Sequence, residues 1–219
     1  MKISEKYADY ILEETKKLLE IDSPSGYTRN VAEYVMEEYH KLGYKADMTV
    51  KGGVLVDLGG EDESNAVMLD THIDTLGGMV SEIKADGNLR IVPIGGLNAN
   101  NTEAENVRVV TRDGKIYTGV FQLDNASVHV NKEYSEKKRS FACMEVLLDE
   151  MVSTREETRK LGIDVGDIVC FDPRTVITPS GYIKSRFLDD KLSVGILLGF
   201  ARFLKDEGIT PKRKLYQHV

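Results

Sequence analysis

The sequence predicts an α/β protein whose α/β core is interrupted by an inserted β domain. Three observations carry that reading. Two amphipathic helical patterns open the chain and lead into short apolar strands. Between about residues 78 and 180 the pattern changes to closely spaced β-like runs broken by Gly, Asn and Asp turns. After residue 181 the helix-then-strand pattern returns.

Residues 5–20 read as the first helix, with Tyr7, Ile11, Leu18 and Leu19 near helical spacing and Glu and Lys between them. The polar segment IDSPSGYTRN follows, where Pro24 and Gly26 break regular structure and Ser23 and Ser25 are capping groups. A second helix is expected over 28–42, since Val31, Tyr34, Val35, Tyr39 and Leu42 recur at three and four, and Gly43 stops it. The period then changes to that of strands, over Lys45–Val50 and Val54–Leu58, with Gly52-Gly53 as the turn. The acidic EDES stretch reads as a solvated loop. Ala66–Leu69 is an apolar run ending in Asp70-Thr71-His72-Ile73-Asp74.

The middle block contains the runs MVSEI, LRIVPI, VRVVT, KIYTGVFQL and DIVCFD, and RDGK is a hairpin signal between two of them. One helix interrupts, over 153–161, with Ser153 as cap, Glu156 three residues on and Gly162 as stop. A small β-barrel or sandwich with one helix is expected. Beyond it, Ser185–Asp190 leads into an apolar helix over Leu192–Leu204 ended by Gly208, and Lys214–Val219 begins a strand.

Composition narrows the function classes. The net charge is −7, with 41% hydrophobic and 30% charged residues, which suits a packed core and argues against disorder and against a generic nucleic-acid binder. The two cysteines, Cys143 and Cys170, lack metal spacing and read as buried reduced thiols. The first residues, MKISEKYADYILEETKK, have no apolar core of a secretory signal. No apolar run approaches the roughly 20 residues of a membrane span, so a cytoplasmic protein away from membranes is expected.

Two motifs could carry chemistry. In His72-Ile73-Asp74, residues two apart share one side of an extended chain, so the imidazole could bind a metal through one nitrogen while the carboxylate orients the other. An ordinary polar strand end explains the same pattern. In Phe187-Leu188-Asp189-Asp190-Lys191, an Asp could bridge two cations, or the acids could cap the following helix. His72 and Asp189 lie 117 residues apart, with the inserted domain between them, so its two ends could bring them together. His129 and His40 read as a structural and a solvated histidine.

The ordered series IDSPSGYT, GGVLVDLGG, MLDTHIDTLGGMV, YTGVFQLDNASVHV, STREETRKLGIDVGDIVCFDP and KSRFLDDKLSVG resembles the M42 family of metallopeptidases, the relatives of glutamyl and tetrahedral aminopeptidases. The resemblance implies a three-layer α/β/α dinuclear-metal aminopeptidase core with an inserted small β-barrel-like domain. The parts are 1–75 and 181–219 for the catalytic domain and 76–180 for a dimerisation domain that makes the protein a homo-oligomer. It implies two divalent ions, zinc or cobalt, and a peptide substrate. His72 is implied as a metal ligand, Asp74 as the carboxylate that fixes its ring, and Asp189 as the bridging ligand, with Asp190 as a helix cap. Thr75 and Lys191 depart from the family's commoner Glu and Arg.

The family also supplies a Glu-Glu pair shortly after the next strand, then an Asp and a distal His. No residue among these 219 matches them. The expectation is a C-terminally truncated metallopeptidase with little or no activity alone. Two other readings stand beside it. One is a non-catalytic assembly or binding protein that retains the oligomerisation domain. The other is a related co-catalytic metal hydrolase acting on acylated amino acids.

Overall fold

The computed structural model describes residues 3–219. They form two compact units. One comprises the chain up to Thr75 together with Pro173–Val219, and the other is Leu76–Asp172.

The first unit opens with α1 (Ile3–Glu20) and α2 (Arg29–Lys41), followed by β1 (Lys45–Met48), β2 (Val54–Asp57) and β3 (Asp62–Asp70). The two helical patterns form where their spacing predicts. Gly43, at φ 82°, supplies the left-handed residue that lets α2 stop. The acidic stretch behaves otherwise than expected: Asp62, Glu63 and Ser64 open β3 instead of forming a loop. β3 is the outer strand of the sheet and most of its residues face solvent, so polar side chains are tolerated there.

The chain returns to this unit through a short hairpin, β10 (Val176–Ile177) with β11 (Ile183–Lys184), then α4 (Leu188–Asp206) and β12 (Arg213–His218). The sheet order is β1-β2-β12-β3. β12 therefore inserts between two strands that are neighbours in sequence, running antiparallel to β2 and parallel to β3. Alternate residues Val54, Val56 and Leu215 face one apolar core with Leu18, Val31, Val35, Tyr39, Val194, Leu197 and Leu198 from the three helices. The buried Gln217 lies between two helices, accepting from the Tyr39 hydroxyl at 2.7 Å and donating to the Leu197 carbonyl at 3.2 Å. On the opposite face of the sheet Leu55 and Met68 remain 37% and 57% exposed.

The second unit is a closed six-stranded barrel, ordered β4-β5-β8-β7-β6-β9. Its strands are β4 (Gly77–Ile83), β5 (Leu89–Ile94), β6 (Glu105–Val110), β7 (Ile116–Leu123), β8 (Met144–Leu148) and β9 (Ile168–Phe171). RDGK turns β6 into β7, with Gly114 at φ 80° and the Lys115 carbonyl accepting from Thr111 N–H at 3.0 Å. Ile91, Val109, Phe121, Val146, Val169 and Phe171 fill the interior. Within the barrel unit, α3 (Arg155–Lys160) begins one residue later than its sequence signature suggests. Thr154 is the cap, accepting from Glu157 N–H at 3.3 Å, and the Glu157 carboxylate accepts from Ser153 N–H at 2.8 Å. Thr154 thus caps the helix while Glu157 reaches back to the N–H one residue before it, because that register aims both side chains at N–H groups without a helical partner.

Cys170 is buried and Cys143 partly so, and neither is in a disulfide. His129 does not alternate in a strand: it lies in a turn-rich segment where Val128 and Val130 are 58% and 73% exposed. Among the described residues, no helix is long and apolar enough to cross a membrane.

Candidate metal centre

β3 ends at Asp70, and Thr71 to Thr75 continue as an extended segment beyond its C-terminal end. This is where open α/β sheets present their ligand-binding groups. Extended geometry turns His72 and Asp74 to one side, while Ile73 between them is buried in the core. His72 Nδ1 is 3.0 Å from Asp74 Oδ1. Its other nitrogen, Nε2, is 3.1 Å from Asp189 Oδ1.

Asp189 comes from the first residues of α4. Phe187 has a left-handed backbone, Asp189 and Asp190 have non-helical dihedrals, and the regular helix continues from Lys191. The Asp189 side chain is 95% exposed, so its second oxygen remains open to a ligand. The three residues singled out in sequence, His72, Asp74 and Asp189, therefore converge.

The electrostatics of the imidazole follow from this placement. Burial pulls its pKa down, but the hydrogen bond to Asp189 and the charges of Asp74, Asp189 and Asp190 outweigh it, and the value lies above the ordinary 6.5. A neutral ring with its proton on Nδ1 would aim the Nε2 lone pair at a carboxylate oxygen 3.1 Å away. Two acceptors this close require a positive species between them, a proton or a cation. Two zinc ligands at about 2.0–2.1 Å and a tetrahedral angle stand about 3.3 Å apart. The pair fits one edge of a metal shell by both chemistry and spacing. Among the described residues no group of three or more His, Cys, Asp or Glu gathers to hold an ion.

A cleft of about 620 Å³ adjoins His72, lined among others by Ser25, Thr49, Lys51, Asp70, Asp74 and His218. Three of its groups escaped the sequence reading as partners of the site. His218 ends β12 opposite Asp70 and its Nδ1 is 2.7 Å from Asp70 Oδ1. The Ser25 hydroxyl donates to Asp74 Oδ2. Nothing local marks either pair; both arise from contacts between segments far apart in sequence.

Comparison with known proteins identifies the family and the fold. The profile of the M42 glutamyl aminopeptidase family matches residues 52–218. YhfE of Bacillus subtilis (strain 168) is 45% identical over 90% of this chain and 57% of its own length. Among solved structures, the aminopeptidase APDkam598 from the archaeon Desulfurococcus kamchatkensis superposes with a TM-score of 0.85 at 30% identity, over 97% of this chain and 56% of that one. The Pyrococcus horikoshii TET1 peptidase, which can assemble into a tetrahedron or a large octahedral shell, shares the fold with a TM-score of 0.78 at 24% identity, over 95% and 60% of the two chains. The chain thus spans a little over half the length of the relatives it matches.

Proposed function

The chain belongs to the M42 glutamyl aminopeptidase family, and from that premise we propose that it supplies part of the active site of a metal-dependent aminopeptidase. The observation that carries the reading is the convergence of His72, Asp74 and Asp189 beyond the strand end. In this reading His72 Nε2 and Asp189 would help to hold two divalent cations, zinc or cobalt, with Asp189 the residue that would be shared between them. When bound, such a cation pair supplies a water acidic enough to attack a peptide carbonyl at neutral pH.

The chain's own residues do the positioning. Asp74 keeps a proton on His72 Nδ1 and leaves Nε2 free for the metal. Asp189, set just before the regular part of α4, offers one oxygen beside that nitrogen and the other to solvent. The cleft beside His72 is the proposed place for the peptide.

A carboxylate that takes the proton from the attacking water contributes about 10²–10⁴ in rate. By the family pattern that group is not among these 219 residues, and we propose that they have little or no peptidase activity by themselves. Aminoacyl-p-nitroanilide hydrolysis tests this. The 219-residue chain with added Zn²⁺ or Co²⁺ is expected to show background rates while still binding Co²⁺. Chelator-sensitive turnover by this chain would refute the inactivity, and failure of the chain to bind Co²⁺ would refute the metal-dependent reading.

The barrel unit is proposed as the assembly module. Its support is the likeness to the TET1 peptidase together with Val92, Ile116 and Leu147, which are exposed on the barrel. Light scattering should find multimers. A chain that remains monomeric at all concentrations would count against this assignment.

A further inference from the structure

The segment joining α1 to α2 reaches the metal centre from a direction the motifs do not reveal. Ser23 and Pro24 are buried. The Ser23 hydroxyl donates to the Ile73 carbonyl at 2.8 Å. Thr75 N–H donates to the Ser23 carbonyl at 2.8 Å, Ser25 N–H donates to the Thr75 carbonyl at 3.1 Å, and Pro24 pairs with Thr75 as a single parallel bridge. Residues 23–25 are thereby laced to 73–75 along their length. At the end of the lacing the Ser25 hydroxyl donates to Asp74 Oδ2, the oxygen that His72 does not use.

The other end of the segment is held as firmly. Lys191 is only 1% exposed, and its Nζ donates to the carbonyls of Leu18 and Ile21 at 2.7 and 2.6 Å. Lys191 sits two residues past Asp189. One buried ammonium therefore ties the start of the strap to the element that carries the second metal-binding group.

A neutral His72 has two carboxylates competing for its proton, Asp74 at Nδ1 and Asp189 at Nε2. With the proton on Nε2 the ring donates to Asp189 and cannot bind a cation there. With the proton on Nδ1 the lone pair faces the metal position. We propose that residues 21–25 form a positioning strap, in which Ser25 holds the Asp74 carboxylate in one orientation and so selects the Nδ1–H tautomer of His72. An Asp carboxylate turns broadly about its last torsion, and Asp74 is half exposed; a donor fixed by its own backbone holds Oδ2 and leaves Oδ1 on the ring. Ser25 is a positioning residue: it touches neither metal nor substrate. The proposal rests on the metal-ligand reading of His72 given above.

The test uses the 219-residue chain labelled with ¹⁵N at a pH where the imidazole is neutral. The His72 ring nitrogen shifts report the tautomer directly. The parent chain is expected to show the Nδ1–H pattern, with the exposed Asp189 side chain withdrawing from Nε2 when no cation lies between them, Ser25→Ala to move toward the Nε2–H pattern, and Ser25→Thr to restore it. Co²⁺ titration should show affinity about tenfold weaker for Ser25→Ala, the low end of the effect of outer-shell partners, and within about twofold of the parent for Ser25→Thr. A Ser25→Ala chain with the parent's ring shifts would overturn the strap. A parent chain with the Nδ1–H pattern but no Co²⁺ binding would instead count against the metal reading, while the ring shifts still decide the role of Ser25.

Discussion

Gly195 lets α4 lie close against α1, and replacing it with alanine measures how tightly the element carrying Asp189 is held. A Cβ built at Gly195 would stand 2.3 Å from Thr15 Oγ1, 3.2 Å from the Ile11 carbonyl oxygen and 3.4 Å from Thr15 Cβ. Two effects oppose. Alanine favours a helix interior over glycine by about 1 kcal/mol. Forcing a methyl into a packed interface costs about 1–3 kcal/mol. The nearest atom belongs to a fully buried threonine and the next to helix backbone, so neither yields easily. Overpacking wins, and Gly195→Ala is expected to lose about 1–2 kcal/mol, a fall of roughly 2–8 °C in melting temperature for a chain of this size.

Thr15→Ala supplies the control. The Thr15 hydroxyl is buried without a hydrogen-bond partner. Its removal relieves that group and improves helix propensity, which offsets about 0.8 kcal/mol per lost buried carbon. Alone it should be within about 1 kcal/mol of the parent, and it should restore most of the stability of Gly195→Ala. Urea unfolding followed by circular dichroism of the four chains closes the cycle. A Gly195→Ala chain as stable as the parent, or a double variant no better than that single one, would refute the close-approach argument.

The other expectations are quickly stated. Thr154→Ala should destabilise by about 1 kcal/mol through loss of the α3 cap, and Ser153→Ala by less, read from the same unfolding curves; the reverse order would restore the cap position that the sequence suggests. His72 has its pKa raised in the fold, so without metal its ionic contacts contribute fully below the unfolded value near 6.5 and fade as pH rises through the folded value. His72→Gln should flatten the pH dependence of stability in that window; an unchanged dependence would show the contacts do not matter. Since a cation displaces the ring proton, Co²⁺ affinity should rise with pH by up to about tenfold per unit over the same window, and calorimetry showing a flat response would disfavour His72 as ligand. Met68→Lys, on the exposed sheet face at the outer strand, should reduce self-association in light scattering if that open edge contributes to it.

Much of the fold was legible because it depends on neighbours in sequence. The 3.6-residue spacing of Val31, Val35 and Tyr39 puts one face of α2 on the core, and RDGK needs only its own four residues to turn β6 into β7. His72 and Asp74 were legible for the same reason, since residues two apart on an extended chain share a side. Local rules failed where the environment decides. EDES looks like a loop until β3 is seen at the edge of the sheet, where a polar strand meets water. β8 carried no turn signal to set it apart and emerged only as the strand between β5 and β7.

Short stretches of chain were enough to read the α/β plan, the inserted β block, the family and the three candidate residues His72, Asp74 and Asp189. That Asp189 stands 3.1 Å from His72 and His218 beside Asp70 follows from the folded arrangement alone. The same holds for Ser25 reaching the back of Asp74 and for Lys191 placing its charge on two backbone carbonyls, one in α1 and one just after it. The physical reason is range. A periodicity or a turn is written in a few consecutive residues, whereas these contacts join residues roughly 50 to 170 positions apart. They exist only because β12 slots between β2 and β3 and α4 packs on α1, arrangements that no single stretch of the chain encodes.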